Sequence, residues 1–177
     1  ELDEILEEAN RSARRPADEQ VDRALSVIGM RPQHRRYFFE RLKNPMWAEP
    51  LAKRGVFGHP PEAVKEKDGA ISFPLWPESR YLGSVAQQDP ETVMKVILGI
   101  PETDNVMVQW DLVEAALAMP AQVAKEVVPQ AARWAHCRYS LGLPDKLGEL
   151  IIHLADAGES DGAFDLAKAL FALEVRE

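Results

Sequence analysis

The sequence predicts an all-α fold, and three observations carry this prediction. Apolar residues recur at helical spacing in segment after segment, as Leu147, Leu150 and Leu154 do at i, i+3 and i+7. Sustained strand-like alternation of apolar and polar residues is nearly absent. Residues typical of helix starts, such as Asp89 and Pro90, stand where these segments begin. We therefore expect short antiparallel helix pairs stacked as an irregular α-solenoid, with a single irregular helical bundle as the alternative.

The apolar stripes place the helices in order along the chain, and each stripe predicts a helix with one buried face. In chain order they are Leu2/Ile5/Leu6/Ala9, Val21/Leu25/Ile28, Trp110/Val113/Leu117, Val123/Val127/Trp134, Leu147/Leu150/Ile151/Leu154/Ala155 and Phe164/Ala167/Leu170/Phe171. Pro129 falls inside the stripe that ends at Trp134, where we expect it to bend a helix because it lacks a backbone N–H.

Two helix starts repeat at a spacing of about 30 residues. Asp89 caps a helix that Pro90 opens, Pro120 opens another, and a valine follows each proline three residues later. A looser third copy replaces the proline with a turn at Gly158 and a cap at residue 160 or 161. Connections this short predict that consecutive helices run antiparallel.

Paired helices of this kind cannot bury their own apolar faces, so neighbouring pairs complete the core. On this pattern the segment from Trp76 to Leu173 resembles the HEAT or armadillo-like class of helical repeats. The resemblance implies a curved stack with a long exposed surface. We interpret residues 1–177 as one helical domain. Because the chain begins with Glu1 rather than methionine, we expect it to be a piece of a larger, bacterial multidomain protein.

Residues 55–76 interrupt the helical pattern as a long insert that contains several prolines and glycines. Asp68-Gly69 is a favoured hairpin dipeptide, which predicts a small β-hairpin within the insert. At the returning end, Phe73 and Trp76 each precede a proline and are therefore held extended. We expect Phe73, Leu75 and Trp76 to fold back onto the helices as an anchor. The alternatives are an exposed contact site for a protein partner and a P-x-x-P ligand for a polyproline-recognition domain.

Basic residues cluster in the first part of the chain, although the net charge of the whole chain is −8. Arg31, Arg35 and Arg36 form one cluster, and residues 11–15 contain another. Acidic residues close by favour a solvated, partly ion-paired helix surface. The alternative interpretation is a contact with an anionic partner.

Residue patterns typical of catalysis, cofactor binding or metal binding are missing from the sequence. The four histidines lack the spacing that sets two metal ligands on one helix face. No nucleophile elbow, phosphate-binding glycine loop or dinucleotide fingerprint occurs. We expect Cys137 to be a buried apolar residue, Glu114 a solvated residue at a helix edge, and the four tryptophans to pack in the core. The sequence thus predicts no enzyme activity, no cofactor and no metal ion.

The function predicted from these features is a protein–protein interaction or scaffold module. Its candidate partner-binding residues are Phe73, Leu75, Trp76, Arg31, Arg35 and Arg36. The alternative is a nucleic-acid-binding helical-repeat domain that uses the arginine clusters, which the net charge of −8 disfavours.

The ends of the chain carry two further expectations. The acidic start, together with the absence of a long apolar run, predicts a cytoplasmic protein without a membrane partner. The final residues present apolar side chains on more than one side of the predicted helix. We expect Leu173 and Val175 to contact further chain or a second copy.

Overall fold

The computed structural model describes residues 1–172, and this part is mainly helical. The helices are α1 Leu2–Arg11, α2 Asp18–Ile28, α3 Pro32–Arg41, α4 Ala48–Lys53, α5 Pro77–Val85, α6 Pro90–Leu98, α7 Val106–Leu117, α8 Ala121–Ala124, α9 Val128–Trp134, α10 Leu143–Asp156 and α11 Ser160–Phe171. Short 3₁₀ turns at Pro45–Trp47 and Lys125–Val127 precede α4 and α9. The predicted all-α class is confirmed, and the prediction for Leu173 and Val175 lies outside the described residues.

Several helices begin where the sequence predicts them to begin. The Asp89 side chain caps α6 by accepting a hydrogen bond from the Thr92 N–H at 3.2 Å. Pro120, which was expected to open a helix, is the capping residue directly before α8. At α11, by contrast, the predicted cap at residue 160 or 161 is wrong: the helix begins at Ser160 after Glu159, which makes no side-chain cap.

The helices pack in two rows around one buried cluster of apolar side chains. In the first row α3 contacts α5, α5 contacts α7, and α7 contacts α10. In the second row α4 contacts α6, and α6 contacts α8. Because α7 contacts α5, α8 and α10, its buried residues form a broad face rather than one narrow stripe. Stacked helix pairs would give such rows, but the repeat class itself stays a prediction.

Two predictions about apolar stripes and proline are wrong. In α11 the buried residues are Ala163 and Leu166, whereas Phe164 and Phe171 are 69% and 74% exposed. The helix contacts α9 and α10, and the face that it buries is the adjacent stripe of Ala163 and Leu166. Pro129 does not bend a helix; it lies in the first turn of α9, where its missing N–H costs no hydrogen bond.

Asn44 joins three parts of the first half of the fold. Its buried side chain donates hydrogen bonds from Nδ2 to the carbonyl oxygens of Ala9 at 2.7 Å and Ser12 at 2.9 Å. Its own carbonyl oxygen accepts a bond from the Tyr81 hydroxyl at 2.7 Å. The end of α1, the start of the 3₁₀ turn and the middle of α5 are therefore fixed relative to one another.

The insert contains the predicted β-hairpin, in which β1 (Val64–Lys65) pairs antiparallel with β2 (Ile71–Ser72). Gly69 has a φ of +89°, a value that glycine adopts without strain. The loop before α7 holds both ends of the insert. Thr103 Oγ1 donates to the Pro61 carbonyl oxygen at 2.8 Å, and Asn105 Nδ2 donates to that of Pro74 at 2.8 Å. The insert is thus fastened to the helices at each end.

None of the helices within residues 1–172 combines the length and the apolar character that a membrane-crossing helix needs.

Gly142 provides a test of the turn that begins α10. Its φ is +77°, and a Cβ atom added there would lie 3.2 Å from Cζ3 of Trp110. We expect Gly142→Ala to lower the free energy of unfolding by about 1–2 kcal/mol in urea denaturation, since a left-handed backbone disfavours any Cβ.

Gly148→Ala is the matched control, because Gly148 lies within α10 and an added Cβ there meets nothing within 4 Å. This variant should gain about 0.5–1 kcal/mol of stability from the higher helix propensity of alanine. Equal stability of Gly142→Ala and the wild type would contradict the described turn.

Candidate functional site

A groove of about 720 Å³ lies between α2, α3, the start of α5 and both ends of the insert. We call it the α3 groove. Its lining residues are Leu25, Gly29, Met30, Pro32, Arg35, Arg36, Glu40, Arg54, Gly55, Val56, His59, Pro61, Leu75, Trp76, Pro77, Glu78 and Arg80. A volume of this size is within the range of ligand-binding clefts.

The apolar part of the α3 groove combines two exposed side chains with a buried aromatic ring. Met30 is 91% exposed in the turn between α2 and α3, and Leu75 is 48% exposed at the end of the insert. Trp76 is only 6% exposed, and its ring packs edge-on against Phe57 with the centroids 6.4 Å apart. The groove therefore combines a buried aromatic ring, Trp76, with two apolar side chains, Met30 and Leu75, that are exposed to solvent.

Four arginines line the same groove, and most of them are ion-paired. Arg36 Nε donates to Glu40 Oε1 at 2.8 Å. Arg54 contacts the carboxylates of Asp18 and Asp22, at 3.1 and 2.5 Å. Arg80 is exposed and makes no ion pair within the described part of the chain.

Arg35 pairs with Glu78, the second residue of α5, although 43 residues separate the two in sequence. Arg35 Nε donates to Glu78 Oε1 at 2.8 Å, and Nη2 donates to the same oxygen. The second carboxylate oxygen, Oε2, is buried and has no hydrogen-bond partner. The Glu78 side chain is 1% exposed, whereas that of Arg35 is 30% exposed. A buried acid thus holds a guanidinium that is still open to the groove.

The charges of the groove favour anions. The hydrogen bond from Arg36 lowers the pKa of Glu40, and the bond from Arg54 lowers the pKa of Asp22. Both acids therefore stay ionised at neutral pH and remain paired. Since four arginines and two glutamates line the groove, the lining carries a net positive charge on a protein whose overall charge is −8.

Behind the groove, Ser79 fastens α5 to α7. Its buried hydroxyl donates to Asp111 Oδ2 at 2.6 Å. Burial raises the pKa of Asp111, and the bond from Ser79 offsets this shift only in part. The contact holds the start of α5, and with it Glu78, against the central helix.

The α3 groove brings together two groups of predicted partner-binding residues from distant parts of the sequence. Arg35 and Arg36 from α3 line it together with Leu75 and Trp76 from the insert. The predicted anchor is confirmed for the buried Trp76, but it is wrong for Leu75, whose side chain faces the groove instead of packing on the helices.

The remaining two predicted residues do not line the groove. Phe73 is half-buried and packs against Tyr139, with the ring centroids 5.3 Å apart. It therefore anchors the insert on the segment between α9 and α10. Arg31 is the exposed residue before α3 and does not line the groove.

The groove residues that were not predicted from the sequence include Met30, Glu78 and Arg80. Glu78 resembles any acidic residue in the first turn of a helix, where the helix dipole favours it. Its partner becomes visible only when α3 and α5 pack together. Met30 carried a local signal, because it follows Gly29 between two helices and therefore lies in a turn.

Other residues considered from the sequence lie outside the groove. Cys137 is half-buried, not fully buried as predicted, and its sulfur accepts a hydrogen bond from Gln109 Nε2 at 3.3 Å. Glu114 is 46% exposed and pairs with Lys146, as a solvated edge residue should. Trp47, Trp76 and Trp134 are buried, and Trp110 is half-buried. Within residues 1–172, no three His, Cys, Asp or Glu side chains are grouped as metal ligands.

Comparisons with known proteins find no match: no family model, no curated protein and no solved structure matches the chain.

Replacing Trp76 tests the base of the groove. We expect Trp76→Ala to lose about 3–5 kcal/mol of stability, because it removes a buried indole and leaves a cavity beside Phe57. Leu75→Ala is the neighbouring control and should lose less than about 1 kcal/mol, since Leu75 is 48% exposed. Thermal and urea unfolding of the two variants measure the difference, and an unchanged melting temperature of Trp76→Ala would refute the anchor.

Asp111 predicts a pH dependence of stability. Because burial raises its pKa above the ordinary value of 3.8, the folded state binds more protons than the unfolded state. Stability from this group therefore falls as the pH rises from about 3.8 through the folded pKa. Asp111→Asn keeps an acceptor for Ser79 and removes the charge, so its stability relative to the wild type should increase between pH 4 and pH 7.

Asp165→Asn, at an exposed position of α11, is the control. Measured by urea unfolding, the difference in unfolding free energy between this control and the wild type should be the same at pH 4 and pH 7. If the difference in unfolding free energy between Asp111→Asn and the wild type does not change with pH, the role of burial is contradicted.

Proposed function

We propose that this protein is a protein-interaction or scaffold module, and that the α3 groove binds a short segment of a partner protein. The observation that carries the proposal is the meeting of two independently predicted groups of residues in one cleft. Arg35 and Arg36 face it from α3, and Leu75 and Trp76 face it from the insert.

The apolar side chains provide the contact area for such a segment. Met30 and Leu75 are exposed, at 91% and 48%, so a bound side chain would remove their apolar surface from water. Trp76 is held rigidly beneath them by its contact with Phe57. A buried aromatic base surrounded by exposed apolar groups is typical of the pockets that bind the anchor residue of a partner.

The arginines favour an acidic partner. Four of them line the groove against two glutamates, and Arg80 has no acidic neighbour paired with it within residues 1–172. Complementary charge increases the association rate and selects among partners. The expected partner segment therefore contains a large apolar residue flanked by aspartate or glutamate.

Ion pairing supports a protein partner over nucleic acid. Arg11 pairs with Glu7 at 3.2 Å, and Arg15 pairs with Glu49 at 2.8 Å. Arg36 is likewise paired with Glu40. Phosphate contacts on a long nucleic acid need several free cations along one face, and these pairs reduce their number.

A selection from a random peptide library displayed on phage tests the proposal. We expect the selected peptides to be enriched in acidic residues next to Leu, Phe or Trp. A synthetic peptide from the selection should bind at least tenfold more weakly to the double variant Met30→Ser, Leu75→Ser. Fluorescence polarisation at low and high salt measures this loss and the weakening expected from screened charges.

Ile152→Ser is the matched control, because Ile152 is an apolar side chain, 60% exposed on α10, that does not line the groove. Its affinity for the peptide should equal that of the wild type. Peptides that lack acidic residues, or that lose binding only in Ile152→Ser, would refute the groove as the binding site.

A further inference from the structure

The geometry of the Arg35–Glu78 pair is unusual for a purely structural ion pair. Arginine and a carboxylate commonly pair through two parallel hydrogen bonds that use both carboxylate oxygens. Here both bonds from Arg35 end on Glu78 Oε1, while Oε2 is buried without a partner. Glu78 is 1% exposed, so bulk solvent does not reach this oxygen. Unsatisfied buried acceptors are costly and rare in native structures.

The other edge of the Arg35 guanidinium is available. Nε and Nη2 are used by Glu78, and Nη1 makes no hydrogen bond within residues 1–172. The side chain is 30% exposed, lines the groove, and lies over the Phe39 ring at 5.8 Å. A guanidinium held on one edge and stacked on an aromatic ring is pre-oriented for an anion on its free edge.

We propose that Arg35 is the carboxylate-binding residue of the α3 groove and that Glu78 is the residue that positions it. The inference rests on the proposed function and names its specificity. The partner segment places a carboxylate on Arg35 while an adjacent aromatic or large aliphatic side chain lies against Met30, Leu75 and Trp76. The groove is thereby specific for a carboxylate beside an apolar group, and not for negative charge in general.

The other arginines of the groove are less suited to this role. Arg54 is 19% exposed and is already occupied by Asp18, Asp22 and two backbone carbonyl oxygens. Arg36 is 64% exposed and pairs with Glu40 on its own helix. Arg80 is exposed and contributes attraction at longer range. Only Arg35 combines a fixed orientation with access to the groove.

Two small probes test this chemistry without knowledge of the partner: 3-phenylpropanoate and its uncharged analogue 3-phenylpropanamide. Titration of the ¹⁵N-labelled protein, followed by ¹H–¹⁵N correlation spectra, gives a Kd for each probe and the residues whose signals move. We expect signals of Trp76 and Arg35 to shift. The carboxylate should bind about tenfold more tightly than the amide, as charge-assisted hydrogen bonds predict.

The double variant Arg35→Gln, Glu78→Gln separates recognition from folding. It removes both charges of the pair but keeps two side chains that can hydrogen-bond to each other, and circular dichroism checks that it folds. The variant should bind the two probes equally. Glu78→Gln alone, which keeps the Arg35 charge but weakens its hold, should lower the preference partly. Arg23→Gln is the control, because it removes one arginine at an exposed position of α2 that does not line the groove, and it should keep the full preference for the carboxylate.

Each outcome decides the inference. Equal binding of acid and amide by the wild type overturns the role of Arg35 and leaves the groove as an apolar binding site. A preference that persists in the double variant also overturns it and assigns the charge effect to another arginine. Absence of binding by either probe overturns the proposed specificity as well, while the peptide selection decides the protein-interaction function independently.

Discussion

The ion pair between Arg35 and Glu78 joins α3 to α5, and the α3 groove lies between these two helices. Because Glu78 is 1% exposed, its charge requires the guanidinium beside it. Removal of one partner from such a pair costs on the order of 3–5 kcal/mol, towards the lower end where one partner is partly solvated. The pair joins α3 to the first turn of α5, and Trp76 immediately precedes that turn. This contact therefore links the cationic part of the groove to its aromatic part.

The insert depends on this arrangement and also completes it. Its outgoing end is hydrogen-bonded to Thr103, and its returning end to Asn105, so one loop before α7 holds both. Phe73 adds a contact with Tyr139. Of the three apolar anchor candidates of the insert, Trp76 is buried, Phe73 is half-buried and Leu75 alone is exposed, because nothing in the described chain covers it.

The sequence was sufficient for the features that local chemistry determines. The helix at Pro90 and the hairpin at Asp68-Gly69 follow from short-range preferences, and both are present. The buried face of α11 was predicted wrongly because two stripes, one residue apart, both have helical spacing. Periodicity alone could not choose between the stripe of Phe164 and that of Ala163. The choice is made by packing against α9 and α10.

The same limit applied to the groove. Its residues were identified in part, as two separate groups, but the 43 residues between Arg35 and Glu78 left no local signal that they pair.

The charge distribution explains why a short acidic segment suits this protein better than a long polyanion. The groove lining is positive, while the chain as a whole carries −8. Fields between exposed charges decay over about 8 Å at physiological salt. A short segment that enters the groove therefore interacts mainly with its arginines. A long nucleic acid would extend beyond them, across the surface of a chain in which acidic residues outnumber basic ones. A positive groove on an acidic protein thus favours the proposed short acidic segment over a long polyanion.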